Sequence, residues 1–275
     1  MRKLLAWIIS GVLSIYILII GYVYINQANI VLSPSLDYHP PPNSFNINQN
    51  FIQFGDNDSL HIWYVNNNKN DLTVLYFSGN AFNISHRLFH IDVFNQLNIN
   101  AIMFDYKGYG LSTGLIERKE SFFESSELVY DYMIDVLGVS SDSIIFWGYS
   151  LGSPIAAELA SKYNSLAIIL DSPVISINKI SEERFPFIPF AIVNKFDFDI
   201  NQHINQSKAP IILIHSEDDE IIPFRHALEF FNSLERNNKK IIKINGNHRL
   251  SAFKSFPVYF DNIQSFISGL TKKVN

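Results

Sequence analysis

The chain contains no cysteine in its 275 residues. Disulfides, thiolate nucleophiles and cysteine-based metal centres are therefore excluded, and any chemistry must come from oxygen and imidazole groups. Charge is sparse as well. Charged side chains make up 17% of the chain, and 26 acidic against 21 basic residues leave a net charge of −5. That balance offers no basic surface to neutralise a phosphate backbone, so no nucleic-acid partner is expected. No internal repeat is visible. The glycines at Gly108, Gly110 and Gly114 are not followed by the Gly-Lys-Ser/Thr of a P-loop, and they read as a tight turn with Asp105 and Lys107 as structural polar groups.

A further absence is local. Residues 4 to 25, from Leu4 to Ile25, carry no charge, and after Arg2 and Lys3 no Lys or Arg occurs until Lys69. As a helix this run measures about 33 Å, enough to span about 30 Å of hydrocarbon. The positive-inside rule puts the N-terminus in the cytoplasm and the rest of the chain across the membrane, in the periplasm if the cell is bacterial. The competing reading is a cleaved secretion signal, for which the run is long and the A-x-A site is missing. Residues 26–50, rich in Asn, Pro and Ser and including Pro40, Pro41 and Pro42, read as an extended stalk. The remainder, 51–275, has the length of one globular domain.

Within that domain, apolar runs alternate with helical patterns. Strands are expected near Phe51–Phe54, Leu60–Val65, Thr73–Phe77, Ala101–Phe104, Ser143–Trp147, Leu166–Leu170, Ile211–Ile214 and Lys240–Ile244. Helices are expected near Ile84–Leu97, Arg118–Leu137, Pro154–Ala160, Arg225–Leu234 and Pro257–Leu270. Near-continuous apolar strands separated by helices predict a mostly parallel, eight-stranded sheet covered on both faces. Residues 172–208 break the alternation. They hold the apolar run Phe185 to Val193, interrupted by Pro186 and Pro189, and read as a lid that either forms an acyl pocket or packs its aromatics onto the core.

The chemistry is concentrated at Gly148-Tyr149-Ser150-Leu151-Gly152, a G-x-S-x-G pentapeptide between a buried strand and a helix with Pro154 in its first turn. A serine on so sharp a turn projects its hydroxyl from the top of the sheet, but it needs a base oriented by an acid to attack at neutral pH. Downstream, an acidic loop follows the strand ending at His215, and Asn245-Gly246-Asn247-His248 follows the next strand. The order Ser, acid, His, each just past the carboxyl end of a strand, is the one such elbows use. Asp171, which ends another strand, is a second candidate for the acid. His86 and His90 have a metal-compatible spacing, but no carboxylate or third ligand is evident, so no metal and no cofactor are expected.

Over roughly residues 50 to 270 the chain resembles the α/β-hydrolases, in particular the Bem46-like proteins and the serine aminopeptidase-like hydrolases. The resemblance rests on Phe77-Ser78-Gly79-Asn80-Ala81, on the stretch from Phe104 to Ser112, on the Ser150 elbow, on His215 to Pro223, and on Gly246-Asn247-His248. It implies an α/β-hydrolase fold with a lid, preceded here by one transmembrane helix. It also implies a triad of Ser150, Asp219 and His248, with Asp218 a solvated neighbour and His215 structural. The oxyanion hole would use the backbone N–H of Leu151 and that of Asn80, with Ala81 the second choice for the latter. Two positions depart from the pattern: Ser78 replaces the usual His, and Arg249 follows His248 where Asn or Asp is common. The implied substrates are carboxylic esters, thioesters of protein-bound acyl groups or lysophospholipids. Location favours lipid-derived esters. A peptide N-terminus, or a hydrolase-like binding protein without chemistry, are the alternatives.

Overall fold

The computed structural model describes residues 1–67 and 71–271. The chain begins with helix α1 (Arg2–Val31), whose regular geometry breaks at Asn26 (φ −100°, ψ 15°). Its apolar stretch has a mean hydropathy of 2.4 over 18 residues, and none of that stretch is buried, so it is long and apolar enough to cross a membrane. The helix therefore runs six residues past Ile25, into the segment expected to be an extended stalk. That segment is not free chain at its other end either. The two-residue strand β1 (Ser33–Pro34) is followed by β2 (Ile47–Phe54), which starts before residue 50.

The rest of the chain supplies β3 (Asp58–Val65), β4 (Thr73–Phe77), β5 (Ala81–Phe82), α2 (Leu88–Gln96), β6 (Asn100–Phe104), α3 (Glu120–Asp135), β7 (Ile144–Tyr149), α4 (Gly152–Lys162) and β8 (Ala167–Asp171). The short helices α5 (Ile177–Arg184) and α6 (Phe190–Val193) come next. They are followed by β9 (Ile211–Ser216), α7 (Phe224–Ser233), β10 (Lys239–Ile244), α8 (Ser251–Lys254) and α9 (Phe256–Thr271). Eight strands form one sheet in the order β10-β9-β8-β7-β4-β6-β3-β2. All pairs are parallel except β2–β3 and β3–β6. The expected eight strands, mostly parallel, are all present.

Alternation of side chains along the strands divides the core in two. On one face Leu75, Phe77, Phe146 and Leu213 meet Phe122 and Val129 of α3, Ile155 of α4 and Phe230 of α7. On the other, Val74, Tyr76, Trp147 and Ile214 meet Ile91 and Phe94 of α2 and Tyr259 and Ile263 of α9. Every residue of β4, β6, β8 and β9 is buried, which is why these strands read as unbroken apolar runs. The carboxyl ends of β7, β9 and β10 lie on the same edge of the sheet, β7 separated from β9 by β8, and the loops that leave them carry the candidate site.

The lid divides in a way its composition does not reveal. Phe196, Phe198, Ile200 and Ile204 are buried in the core on the α3 and α4 side. Phe185, Phe187 and Ile192 instead face outward, 57%, 84% and 84% exposed. Of the expected roles, packing onto the core falls to Phe196 and Phe198 and lining of the cavity to Ile177 and Ile180, whereas Phe185, Phe187 and Ile192 of the apolar run do neither.

Candidate active site

The turn between β7 and α4 is set by two glycines. A Cβ on Gly152 would stand 2.0 Å from the Phe77 carbonyl oxygen, and one on Gly148 would stand 2.5 Å from the Cα of Ser153. Only glycine lets strand and helix pass this closely. Ser150 sits between them with φ 52°, a left-handed conformation that non-glycine residues rarely adopt and that is concentrated at functional sites. Main-chain bonds hold it there: the Ser150 N–H donates to the Asp171 carbonyl at 2.9 Å, and the Ser150 carbonyl accepts from Ser153 N–H at 3.0 Å and Val174 N–H at 3.2 Å.

Ser150 Oγ lies 2.9 Å from His248 Nε2, and His248 Nδ1 lies 2.7 Å from Asp219 Oδ2. A carboxylate only accepts, so Nδ1–H donates to Asp219 and the lone pair on Nε2 faces the serine hydroxyl. Asp219 is itself immobilised: its Oδ1 accepts from the N–H groups of Ile221 (2.9 Å) and Ile222 (2.7 Å). Burial pushes the Asp219 carboxyl up, but the bond to His248, its charge and the Ile222 N–H outweigh that and hold it below the ordinary carboxylate value. The imidazole is fixed from further sides. His248 N–H donates to Glu220 Oε2 at 3.0 Å, and the Tyr149 hydroxyl donates to the His248 carbonyl at 3.2 Å while its ring stacks at 5.9 Å. A hydroxyl whose proton can pass to an imidazole braced by a carboxylate is an activated nucleophile.

The other candidates fall into supporting places. Asp171 is fully buried and accepts from the Tyr259 hydroxyl at 2.6 Å rather than from His248. Asp218 is exposed and accepts from Gly246 N–H at 3.1 Å. His215 donates from Nε2 to the Ile222 carbonyl at 2.9 Å and stands 3.4 Å from Asp219, and burial lowers its pKa. Asp105 accepts from His61 Nδ1 and from Ile84 N–H, both at 2.8 Å, beneath the Gly110 turn. Lys107 pairs with Glu124 at 2.6 Å.

Leu151 and Asn80 both line the cavity beside Ser150, and among the described residues neither main-chain N–H has a protein acceptor. The Asn80 loop is tied down elsewhere. Its side-chain amide donates to the Val31 carbonyl at 2.7 Å, and its carbonyl accepts from Ser33 N–H (3.1 Å) and the Tyr109 hydroxyl (2.9 Å). Strand β1 also pairs in parallel with β5 on the same loop. At Ser78, where a His is usual, the hydroxyl accepts from Arg87 Nε at 2.8 Å, and Arg87 Nη2 donates to the Ala81 carbonyl. One guanidinium thus bridges both ends of the loop. Arg87 and the Val31–Ser33 contacts were missed in the sequence, where only the departure at Ser78 marked them. Arg249 carries its guanidinium over the Phe82 ring at 5.6 Å.

The cavity above Ser150 measures about 520 Å³. Leu151, Val174, Ile177, Ile180 and Ile222 give it apolar walls, and Arg87, Arg184 and Arg249 are the charged groups among the residues that line it. Among the described residues its walls include no carboxylate. His86 and His90 part company: His90 is buried against Tyr76 and Tyr149, whereas His86 turns outward to Asp37 and His39. The ligand atoms of Asp37, His39 and His86 lie within 4.8 Å of one another, all three exposed, a carboxylate and second imidazole that the helical spacing did not reveal.

Comparison with known proteins agrees with this architecture. Residues 73–190 match the family model described as the alpha/beta hydrolase fold. An uncharacterized protein of Acanthamoeba polyphaga mimivirus, R595, is 30% identical over 229 residues, covering 74% of this chain and 76% of that one. Alpha/beta hydrolase domain-containing protein 17C of Xenopus tropicalis is 27% identical over 201 residues, covering 71% of this chain but only 61% of the relative. Among solved structures, an esterase from Pyrococcus furiosus superposes with a TM-score of 0.70 at 19% identity, covering 87% of this chain and 98% of that one. The last is a likeness of fold.

Proposed function

Because the chain belongs to the α/β-hydrolase superfamily, we propose that it is a membrane-anchored serine hydrolase of carboxylic esters or thioesters, with lipid-derived acyl groups as substrates. The observation that carries this reading is the continuous relay from Ser150 Oγ through His248 to Asp219, at 2.9 and 2.7 Å. His248 takes the Ser150 proton as Oγ attacks the acyl carbonyl. Asp219 holds the imidazolium, and the N–H groups of Leu151 and Asn80 receive the oxyanion. The leaving group takes the proton back from His248, and a water activated by the same imidazole then releases the acid from the acyl-enzyme.

The cavity supports the substrate class. Its isoleucine and valine walls suit an acyl chain, and three arginines with no carboxylate disfavour the ammonium of a peptide N-terminus. For topology, the positive charges of Arg2 and Lys3 before α1 favour a cytoplasmic N-terminus and an extracytoplasmic domain. The test is labelling of the full-length chain in detergent with a fluorophosphonate. Wild type should label and Ser150→Ala should not, while melting at the wild-type temperature. Equal labelling of both would remove Ser150 from the nucleophile's role.

A further inference from the structure

The outward-facing part of the lid has no role in the hydrolytic site, yet it is built in a specific way. From Phe185 to Val193 no residue is charged, and Phe185, Phe187 and Ile192 stand out from the domain. A patch of this kind on a soluble protein marks a binding surface. What it faces follows from its attachment to α1. The Tyr16 hydroxyl, well inside the apolar stretch of α1, donates to the Phe187 carbonyl at 2.7 Å. Further along, Gln27 Nε2 donates to the Val193 carbonyl, and Lys195 N–H donates to Gln27 Oε1 at 2.7 Å. The lid tip thus runs beside α1, from Tyr16 outward to Gln27. Tyr16 precedes Ile25 by nine residues, about 13 Å along a helix.

We propose that residues 185–193 are a second membrane element, immersed with α1 in the hydrocarbon so that the cavity opens at the bilayer surface. This rests on the reading of α1 as a membrane anchor and not on the hydrolytic reading. Three observations support immersion. The first is backbone satisfaction, which hydrocarbon demands of any non-helical segment. Most of that demand is met: Pro186 and Pro189 have no N–H, and the N–H groups of Phe185, Ile188, Phe190, Ile192, Val193 and Asn194 donate to carbonyls within the lid, while among the described residues those of Phe187 and Ala191 have no protein acceptor. The second is the boundary. Lys195 sets its ammonium 4.1 Å from the Tyr24 ring centroid, just where α1 turns polar at Asn26 and Gln27, the pairing expected at headgroup level. The third is the direction of charge. Three of the four charged groups of α5 turn to the domain: Lys179 pairs with Glu229, Glu183 with Arg225 and His226, and Arg184 donates to the Ile221 carbonyl, while Glu182 is exposed. Ile177 and Ile180 of α5, the helix that leads into residues 185–193, and Val31 at the end of α1 line the cavity, so both membrane elements continue directly into its wall.

The absence of cysteine makes the test direct. Phe187→Cys and, independently, Ile192→Cys are labelled with an environment-sensitive fluorophore in the full chain, reconstituted in phosphatidylcholine vesicles. Ile15→Cys reports α1 and Lys208→Cys, at the opposite end of the sheet, reports the aqueous domain. Probes at 187 and 192 should be quenched by nitroxide on lipid acyl chains and lose quenching by aqueous iodide, as at 15, while 208 behaves in reverse. Iodide quenching at 187 and 192 equal to that at 208, with 15 still lipid-quenched, overturns the proposal alone. Iodide access at 15 as well would overturn the anchor together with it.

Discussion

Asp219 and Asp218 are adjacent carboxylates with opposite circumstances. Asp219 is buried and spends one oxygen on two backbone N–H groups and the other on His248, whereas Asp218 is exposed and caps Gly246. Asp219→Asn retains the shape but lets the imidazole adopt the wrong tautomer, so kcat should fall about 10⁴-fold. Asp218→Asn leaves the relay intact and should stay within about tenfold of wild type, since the bonds that change, to Gly246 and Asn245, are exposed. Steady-state hydrolysis of a p-nitrophenyl ester measures both, and the reverse ranking would move the acid by one residue. That Ser150, Asp219 and His248 would come together was legible because each follows an apolar strand at the same edge of the sheet. Arg87 was not. Its bonds to Ser78 and Ala81 depend on how α2 approaches a loop nine residues behind it, which no local pattern encodes.

Among elements, the strands of the sheet were readable from their apolar runs alone. The two-residue strand β1 was not, since Ser33-Pro34 is too short to show a period and its partner β5 lies 48 residues on. The lid resisted for another reason: an apolar run reads the same whether it faces a core, a cavity or the outside of the domain, and only its exposure and its contacts with α1 distinguish these. The β1–β5 pairing makes the chain after α1 part of the support of the Asn80 loop, the proposed source of an oxyanion donor. Ser33→Pro removes the N–H donated to the Asn80 carbonyl, a bond worth about 1 kcal/mol to folding. The melting temperature should change little, while kcat drops about tenfold at unchanged KM, because loosened donors weaken the transition state rather than substrate binding. An unchanged kcat would make β1 a tether without influence on the site.

For the molecule as a whole, buried titratable groups set how it responds to acid. Burial lowers the pKa of His90 and His215 from the usual 6.5. Above that value both folded and unfolded chains hold these rings neutral. Below it the unfolded chain takes up protons that the folded one refuses, so stability is full above 6.5 and is lost as pH falls toward the folded values. Asp219, depressed below 3.8, adds a second loss at still lower pH, where its carboxylate is finally protonated. Melting temperatures should be level above about pH 7 and fall steadily to about pH 5, and a rise on acidification would contradict the assignment. The bond from Asn80 to the Val31 carbonyl and the Ser33 pairing also bear on proteolytic shedding. On the proposed anchoring and activity, a protease that freed the domain by clipping before Val31, near the break at Asn26, would release a working enzyme from the membrane. A clip a few residues later, past Ser33, would release a folded but weakened one, so the position of a single cut would decide whether shedding carries the activity away at full or at reduced strength.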